Sequence, residues 1–220
     1  MKKITIAIDG PAAAGKSTVA KLVAYQLDYN YIDTGAMYRA LTLKALNNNI
    51  DVNDEDSLSN LLDNTTIEFH GNNVIFIDDV DKSKEIRSSI VTNNVSIVSK
   101  HKKVRLKMVE LQRQLLTQGG VVIDGRDIGT YVCPEAELKI FQIATVESRA
   151  IRRFQEMQAK GINTSLEEVI NDIKERDRLD STREFAPLRK AHDAIEVDTT
   201  NMSIEQVVDK IVELAKERMI

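Results

Sequence analysis

The chain has 220 residues, 42 % of them hydrophobic, and a formal net charge of −4. That suits one sizeable core, with or without insertions, and argues against bulk binding of nucleic acid or an anionic membrane surface. No apolar run is long enough to span a bilayer and the start lacks signal-peptide form, so a cytoplasmic location is expected. Cys133, the single cysteine, excludes an internal disulfide and argues against a cysteine-built zinc site; beside Pro134 it reads as packing.

Ile4 to Ile8 is an apolar run that predicts a buried strand. Gly10-Pro11-Ala12-Ala13-Ala14-Gly15-Lys16-Ser17 follows at once, and Thr18 to Leu27 keeps apolar residues at helical spacing. Strand, glycine-bounded loop and helix are the context in which this spacing makes a phosphate site. The glycines let backbone N–H groups curl inward, and the helix N-terminus adds positive partial charge. Residues 10–18 are therefore expected to hold ATP, with Lys16 reaching the outer phosphates and the Ser17 hydroxyl on Mg²⁺.

Tyr29 to Asp33 predicts a short strand, Thr34-Gly35 a turn, and Ala36 to Leu46 a helix. The polar stretch 51–66 carries one short helix marked by Leu58, Leu61 and Leu62. Thr66 to Phe69, a turn over His70 to Asn73, and Val74 to Ile77 read as a hairpin that Asp78-Asp79-Val80 could extend. A P-loop core has no need of a hairpin here, so roughly 60–95 is expected to be an inserted subdomain of a single domain spanning 1–220. Helices are predicted over Ser88 to Ser99 and His101 to Gln118, the second ended by Gly119-Gly120.

Val121 to Asp124 and Leu138 to Ile143 are further apolar strands. Helices follow over Val146 to Lys160 and from a capping box at Ser165-x-x-Glu168. Ala194 to Val197 is a last strand. Ser203-x-x-Gln206 caps a terminal helix whose Ile204, Val207, Val208, Ile211 and Leu214 form an apolar stripe expected in the core. The three histidines, His70, His101 and His192, share no metal-ligand spacing and read as surface residues.

Strands alternating with helices give an α/β fold, a three-layer P-loop architecture with a central parallel sheet flanked by helices. Right-handed crossovers gather the strand C-terminal ends on one edge, where such sheets bind ligands. Gly10–Ser17, Asp33–Arg39 and Asp124–Asp127 each lie just past a strand end. In the last two an acid ends the strand and an arginine follows. Beside a P-loop, Arg39 and Arg126 look like clamps for a second phosphate, because the guanidinium fork meets phosphate in a bidentate fashion. Asp124 stands like a Walker B acid for Mg²⁺ or its water, with Asp33 as rival. Arg149, Arg152, Arg153 and the run from Lys174 to Arg183 flank Gly161 and are expected to form a lid at about 149–165, with some arginines spent on the interleaved acids.

Six stretches together resemble bacterial cytidylate kinase, of the nucleoside monophosphate kinase group: Ile8–Ser17, Asp33–Arg39, Asp124–Thr130, Ile173–Asp177, Ala186–Leu188 and Asp198–Thr200. The resemblance covers nearly the whole chain. It implies a monomer that phosphorylates CMP and dCMP with ATP and Mg²⁺, a small NMP-binding insertion with antiparallel strands, and a short helical lid. It implies Arg39 and Arg126 on the acceptor phosphate with Tyr38 nearby. Arg105, Asp127, Arg183 and Thr34 would read cytosine, with Thr34 standing where the family form considered carries serine. Ser96, Arg176 and Asp180 would face the sugar, and Arg153 would serve the lid. An aspartate accepts from the cytosine amino group, whereas uracil would oppose two acceptors. The alternatives are a P-loop kinase for another small acceptor such as UMP, and a nucleotide-controlled switch. The Asn-Lys-x-Asp of guanine-specific switches is absent.

Overall fold

The computed structural model describes residues 2–70, 74–116 and 119–220. The chain divides into two units, residues 1–31 with 119–220 and residues 32–118, each with its own core.

In the first unit β1 (Thr5–Asp9) is the middle strand of a five-stranded sheet. The order is β2-β6-β1-β7-β8, with β2 at Asn30–Asp33, β6 at Val121–Gly125, β7 at Leu138–Ile143 and β8 at Ile195–Asp198. β1 runs parallel to β6 and to β7, and β7 to β8; Ile6 faces Val122 on one side and Leu138 on the other. All five residues of β1 and of β6 are buried, as expected of parallel strands covered on both faces. Ile4, Ile6, Ile8, Val122 and Ile140 pack against α1 (Lys16–Leu27) and α8 (Ile204–Arg218) through Val19, Val23, Val207, Val208 and Ile211. Ile204 departs from the expected core stripe. It opens α8, one turn ahead of Val207, and is 48 % exposed. Two further helices, α6 (Val146–Ala159) and α7 (Leu166–Thr182), join through Ala150, Val169 and Ile173, with Ala13 against the cluster. Both predicted capping boxes, Ser165 with Glu168 and Ser203 with Gln206, are formed.

The second unit holds α2 (Thr34–Asn47), α3 (Glu55–Asp63), α4 (Ser89–Val98) and α5 (Lys102–Leu115). Its antiparallel sheet is β3 (Ile67–His70), β4 (Val74–Ile77) and β5 (Val80–Asp81), with Phe69 opposite Ile75. Helix α2 packs on two sides: Met37, Leu41 and Ala45 meet Leu58, Val95 and Met108, while Ala36, Ala40 and Leu43 meet Ile75, Ile86 and Val91. Three local expectations change here. Thr34 and Gly35 are the first residues of α2 rather than a turn before it, because the Asp33 side chain accepts from Ala36 N and starts the helix earlier. Of Asp78-Asp79-Val80, Val80 does extend the hairpin, as the start of β5 opposite Ile77, whereas Asp78 and Asp79 have left-handed backbone (φ 48° and 64°) and form the turn between β4 and β5. His101 is half-buried rather than on the surface, its ring nitrogen 2.9 Å from the Val52 carbonyl oxygen. Residues 71–73 of the hairpin turn, and 117–118 at the predicted end of the second helix, lie outside the described residues.

Candidate active site

The parallel sheet of the first unit delivers Asp9, Gly125 and Ile143 to one edge, and the P-loop leaves from the first of these. Gly10 has φ 153°, and a Cβ there would lie 2.0 Å from the Gln142 carbonyl oxygen. Only glycine can pass so close to β7. Ala13 (φ 57°) and Gly15 (φ 85°) complete the curl, and Lys16 begins α1. The Lys16 Nζ donates to Pro11 O at 2.8 Å, the amine folded back across its own loop. Ala12 and Ala14 are buried; Ser17 and Thr18 are exposed at the helix start.

Burial and mutual repulsion perturb the cations at this edge. Burial pushes the Lys16 ammonium down to about 7, and the like charge of Arg126 pushes the same way. Burial also lowers Arg176 to about 10, again with Arg126 adding repulsion, and the Arg176 Nε is buried without a hydrogen-bond partner among the described residues. Arg126 Nε donates to Asp180 Oδ2 at 2.8 Å. Burial would raise the Asp180 carboxyl, but Arg126, Arg176 and Arg183 outweigh it and hold it below the usual carboxylate range. Arg183 lies 3.4 Å from Asp127 Oδ1 and 3.9 Å from Asp180 Oδ1, and its Nε donates to Ala186 O at 2.7 Å. Buried cations crowded this closely are relieved by an anion, and the P-loop beside Lys16 is shaped for one.

Asp124 accepts from the Ser17 hydroxyl at 2.9 Å and from the Tyr31 hydroxyl at 2.7 Å. Among the described residues no group of three or more His, Cys, Asp or Glu gathers as a metal cage. Mg²⁺ in nucleotide enzymes takes one or two carboxylates and leaves the rest to phosphates and water, and Ser17 with Asp124 is a donor set of that kind. Asp33 spends its oxygens otherwise: Oδ1 accepts from Ala36 N and Oδ2 pairs with Arg87 at 2.9 Å.

The remaining expected residues of the second unit cluster along α2, α4 and α5. Arg105 is 1 % exposed, stacks over the Tyr38 ring at 5.3 Å, and donates to Ser99 O at 3.0 Å. Thr34 and Tyr38 are buried on α2. Arg39 donates to the Thr92 hydroxyl at 2.8 Å and to Ile86 O at 3.4 Å. Ser96 sits half-buried on α4. Of the arginines around Gly161, Arg153 pairs with Glu156 at 2.9 Å. Arg152 donates to Thr199 O and Thr200 O, and Arg149 turns into the fold.

A family model described as cytidylate kinase matches residues 6–217. The chain belongs to the cytidylate kinase family. A cytidylate kinase from Bacillus subtilis (strain 168) is 53 % identical over 220 residues, covering 99 % of this chain and 98 % of that protein. One from Listeria welshimeri serovar 6b is 56 % identical over 220 residues, with the same coverage. Among solved structures, a gluconokinase from Sinorhizobium meliloti 1021 superposes with TM-score 0.51 at 11 % identity over 98 % of this chain and 94 % of that one, a likeness of fold.

For a cytidylate kinase family chain, two features of the site went unread in the sequence. Asp177 Oδ1 accepts from Ala12 N at 3.0 Å, and Arg149 bridges Asp177 Oδ2 (2.7 Å) to Ala12 O (2.8 Å), so α6 and α7 grip the P-loop. Asp9 accepts from Ile128 N and Gly129 N, each at 2.8 Å, and burial raises its carboxyl to about 7 against those two bonds. Asp9 does carry a sequence signal. It ends a strand as Asp33 and Asp124 do, immediately before Gly10.

Proposed function

We propose that the chain transfers the terminal phosphoryl group of ATP to CMP and dCMP, giving ADP with CDP or dCDP, as a monomeric cytoplasmic enzyme. The observation that carries this is kinship with cytidylate kinases along nearly the whole chain, joined to a formed P-loop. Phosphoryl transfer asks the protein mainly for positioning and positive charge around the moving group. Residues 10–18 take the ATP phosphates, with Lys16 on the outer ones. Ser17 and Asp124 hold Mg²⁺, which when bound offsets phosphate charge; we prefer Asp124 to Asp33 because Asp33 already caps α2 and pairs with Arg87. Arg126, its fork aligned by Asp180, meets the acceptor phosphate to which the phosphoryl passes, and Arg153 serves the lid at about 149–165.

Within the second unit, which contains the nucleotide-binding insertion proposed at about 60–95, Arg39 meets the acceptor's phosphate with Tyr38 nearby. Ser96 is assigned to the sugar, with Arg176 and Asp180 of the first unit. Thr34, Arg105, Asp127 and Arg183 are assigned to the base. Asp127 beside Arg183 offers an acceptor next to a donor fork, the complement of the amino donor and ring acceptors that cytosine presents. Uracil places a carbonyl where that amino group stands and leaves buried acceptors opposed.

A coupled ADP-release assay with CMP, dCMP, UMP and AMP tests the proposal. CMP and dCMP should support turnover far above UMP and AMP. Preference for UMP would point to the other acceptor class, and ATP hydrolysis equally fast without any acceptor would point to a switch.

A further inference from the structure

We infer that Asp9 is a positioning residue for acceptor recognition: its carboxylate fastens the 126–129 loop to the root of the P-loop and thereby sets the aim of Arg126 and Asp127. The inference rests on the proposal that Asp127 senses the acceptor base.

The geometry is a fork meeting two parallel donors. Asp9 Oδ1 accepts from Ile128 N and Oδ2 from Gly129 N, both at 2.8 Å, in surroundings that leave Asp9 only 4 % exposed. The anchor end cannot drift. Asp9 closes the β1–β6 ladder opposite Gly125, and the next residue, Gly10, lies against the Gln142 carbonyl with no room for even a methyl group. Pairing in β6 stops at Gly125, and the chain becomes fixed again around Ile128, where Val132 N bonds Asp127 O and Cys133 N bonds Ile128 O to form a single π turn. Arg126 and Asp127 are thus strung between a strand end and the Asp9 fork.

Packing alone would not select this side chain. A carboxylate here is buried and has the like charge of Asp127 for a neighbour, and both raise its proton affinity; the two N–H bonds and Lys16 oppose them. An apolar residue of similar size would carry no such penalty but would leave two buried N–H groups unpaired. Asparagine is no substitute, because it offers one acceptor and turns an NH₂ toward the second N–H.

The test compares wild type and Asp9→Asn for kcat/KM with CMP and with UMP, and for KM with ATP. The CMP-to-UMP ratio should fall at least tenfold while KM for ATP stays within twofold. The ratio does not depend on how much of the variant is folded, so a merely structural role would leave it unmoved. Gly129→Ala loads the same loop from the other side. Its methyl would crowd the Lys139 stem, 3.1 Å from Cδ and 3.3 Å from Cγ, while only touching Asp9 Oδ2 at an ordinary 3.5 Å; pressed off Lys139, the Gly129 N–H shifts against Asp9, and the ratio should fall in the same direction. Equal losses for both acceptors, or an unchanged ratio, overturn the inference, and if Asp9→Asn yields no folded protein Gly129→Ala alone decides. A wild-type chain with no CMP preference would instead sink the functional proposal beneath it.

Discussion

The grip of α6 and α7 on the P-loop can be broken at one atom, with a calculable result. Arg149, its side chain 5 % exposed, makes three hydrogen bonds: Nε to Ala144 O at 3.0 Å, and Nη1 to Ala12 O at 2.8 Å and to Asp177 Oδ2 at 2.7 Å. Losing one partner of a fully buried pair costs about 3–5 kcal/mol. Asp177 is 22 % exposed and can recover some water, which brings Arg149→Ala to about 3 kcal/mol. Asp177→Asn keeps an acceptor for Ala12 N but loses the charge opposite Arg149, and should cost about 2 kcal/mol. For a chain of this length each kcal/mol lowers the thermal midpoint by about 2–4 °C, so Arg149→Ala should melt about 6–12 °C early. Urea unfolding of Arg149→Ala, Asp177→Ala and the double variant gives the coupling, expected at about 1–3 kcal/mol. Nucleotide affinity should fall with it, because Ala12 is where the loop is held. Single losses under about 1 kcal/mol, or losses that simply add, would refute the clamp.

Nucleotide binding near pH 8 should take up close to one proton. Burial and Arg126 hold Lys16 mostly neutral there, and phosphates beside it restore the ammonium. Calorimetry in buffers of different ionisation enthalpy reads this directly, and uptake near zero would contradict it. Tyr31→Phe removes a donor that orients Asp124, and the Mg²⁺ concentration for half-maximal rate should rise about tenfold; an unchanged Mg²⁺ curve would take Asp124 out of the metal site. The Cys133 thiol, pushed up to about 12 by burial with Glu135 adding to it, should resist a disulfide reagent at pH 8 until the chain is unfolded, and fast labelling of native protein would disprove that.

The elements were legible because their signals are local. Alternation, helical spacing and capping boxes placed the strands and helices of both units to within a few residues, and the glycines at 10 and 15 marked the phosphate loop. Boundaries failed where a side chain moved them: Asp33 reaches forward and starts α2 two residues early. Asp78 and Asp79 looked like strand and are turn, since an aspartate tolerates left-handed backbone and nothing nearby in sequence announces it. The charge pattern showed that some C-terminal arginines must pair internally, but not which ones. Arg149 and Arg153 lie one turn apart on α6 with identical chemistry, and only the fold turns one onto Ala12 and leaves the other to Glu156. The Asp9 fork is the hardest case, because its donors lie 119 and 120 residues away and are backbone groups that any sequence would supply.

The contact between Gly10 and the Gln142 carbonyl bears on how this chain can evolve. Every alteration of a glycine codon that yields another amino acid installs at least one carbon on Cα, and here that carbon would fall 2.0 Å from main-chain oxygen, which no rotamer can evade. Compensation would have to come from displacing β7 itself, and with it the two neighbours it pairs in the sheet. Drift around position 10 is thereby closed off at the first step, whatever the rest of the lineage does.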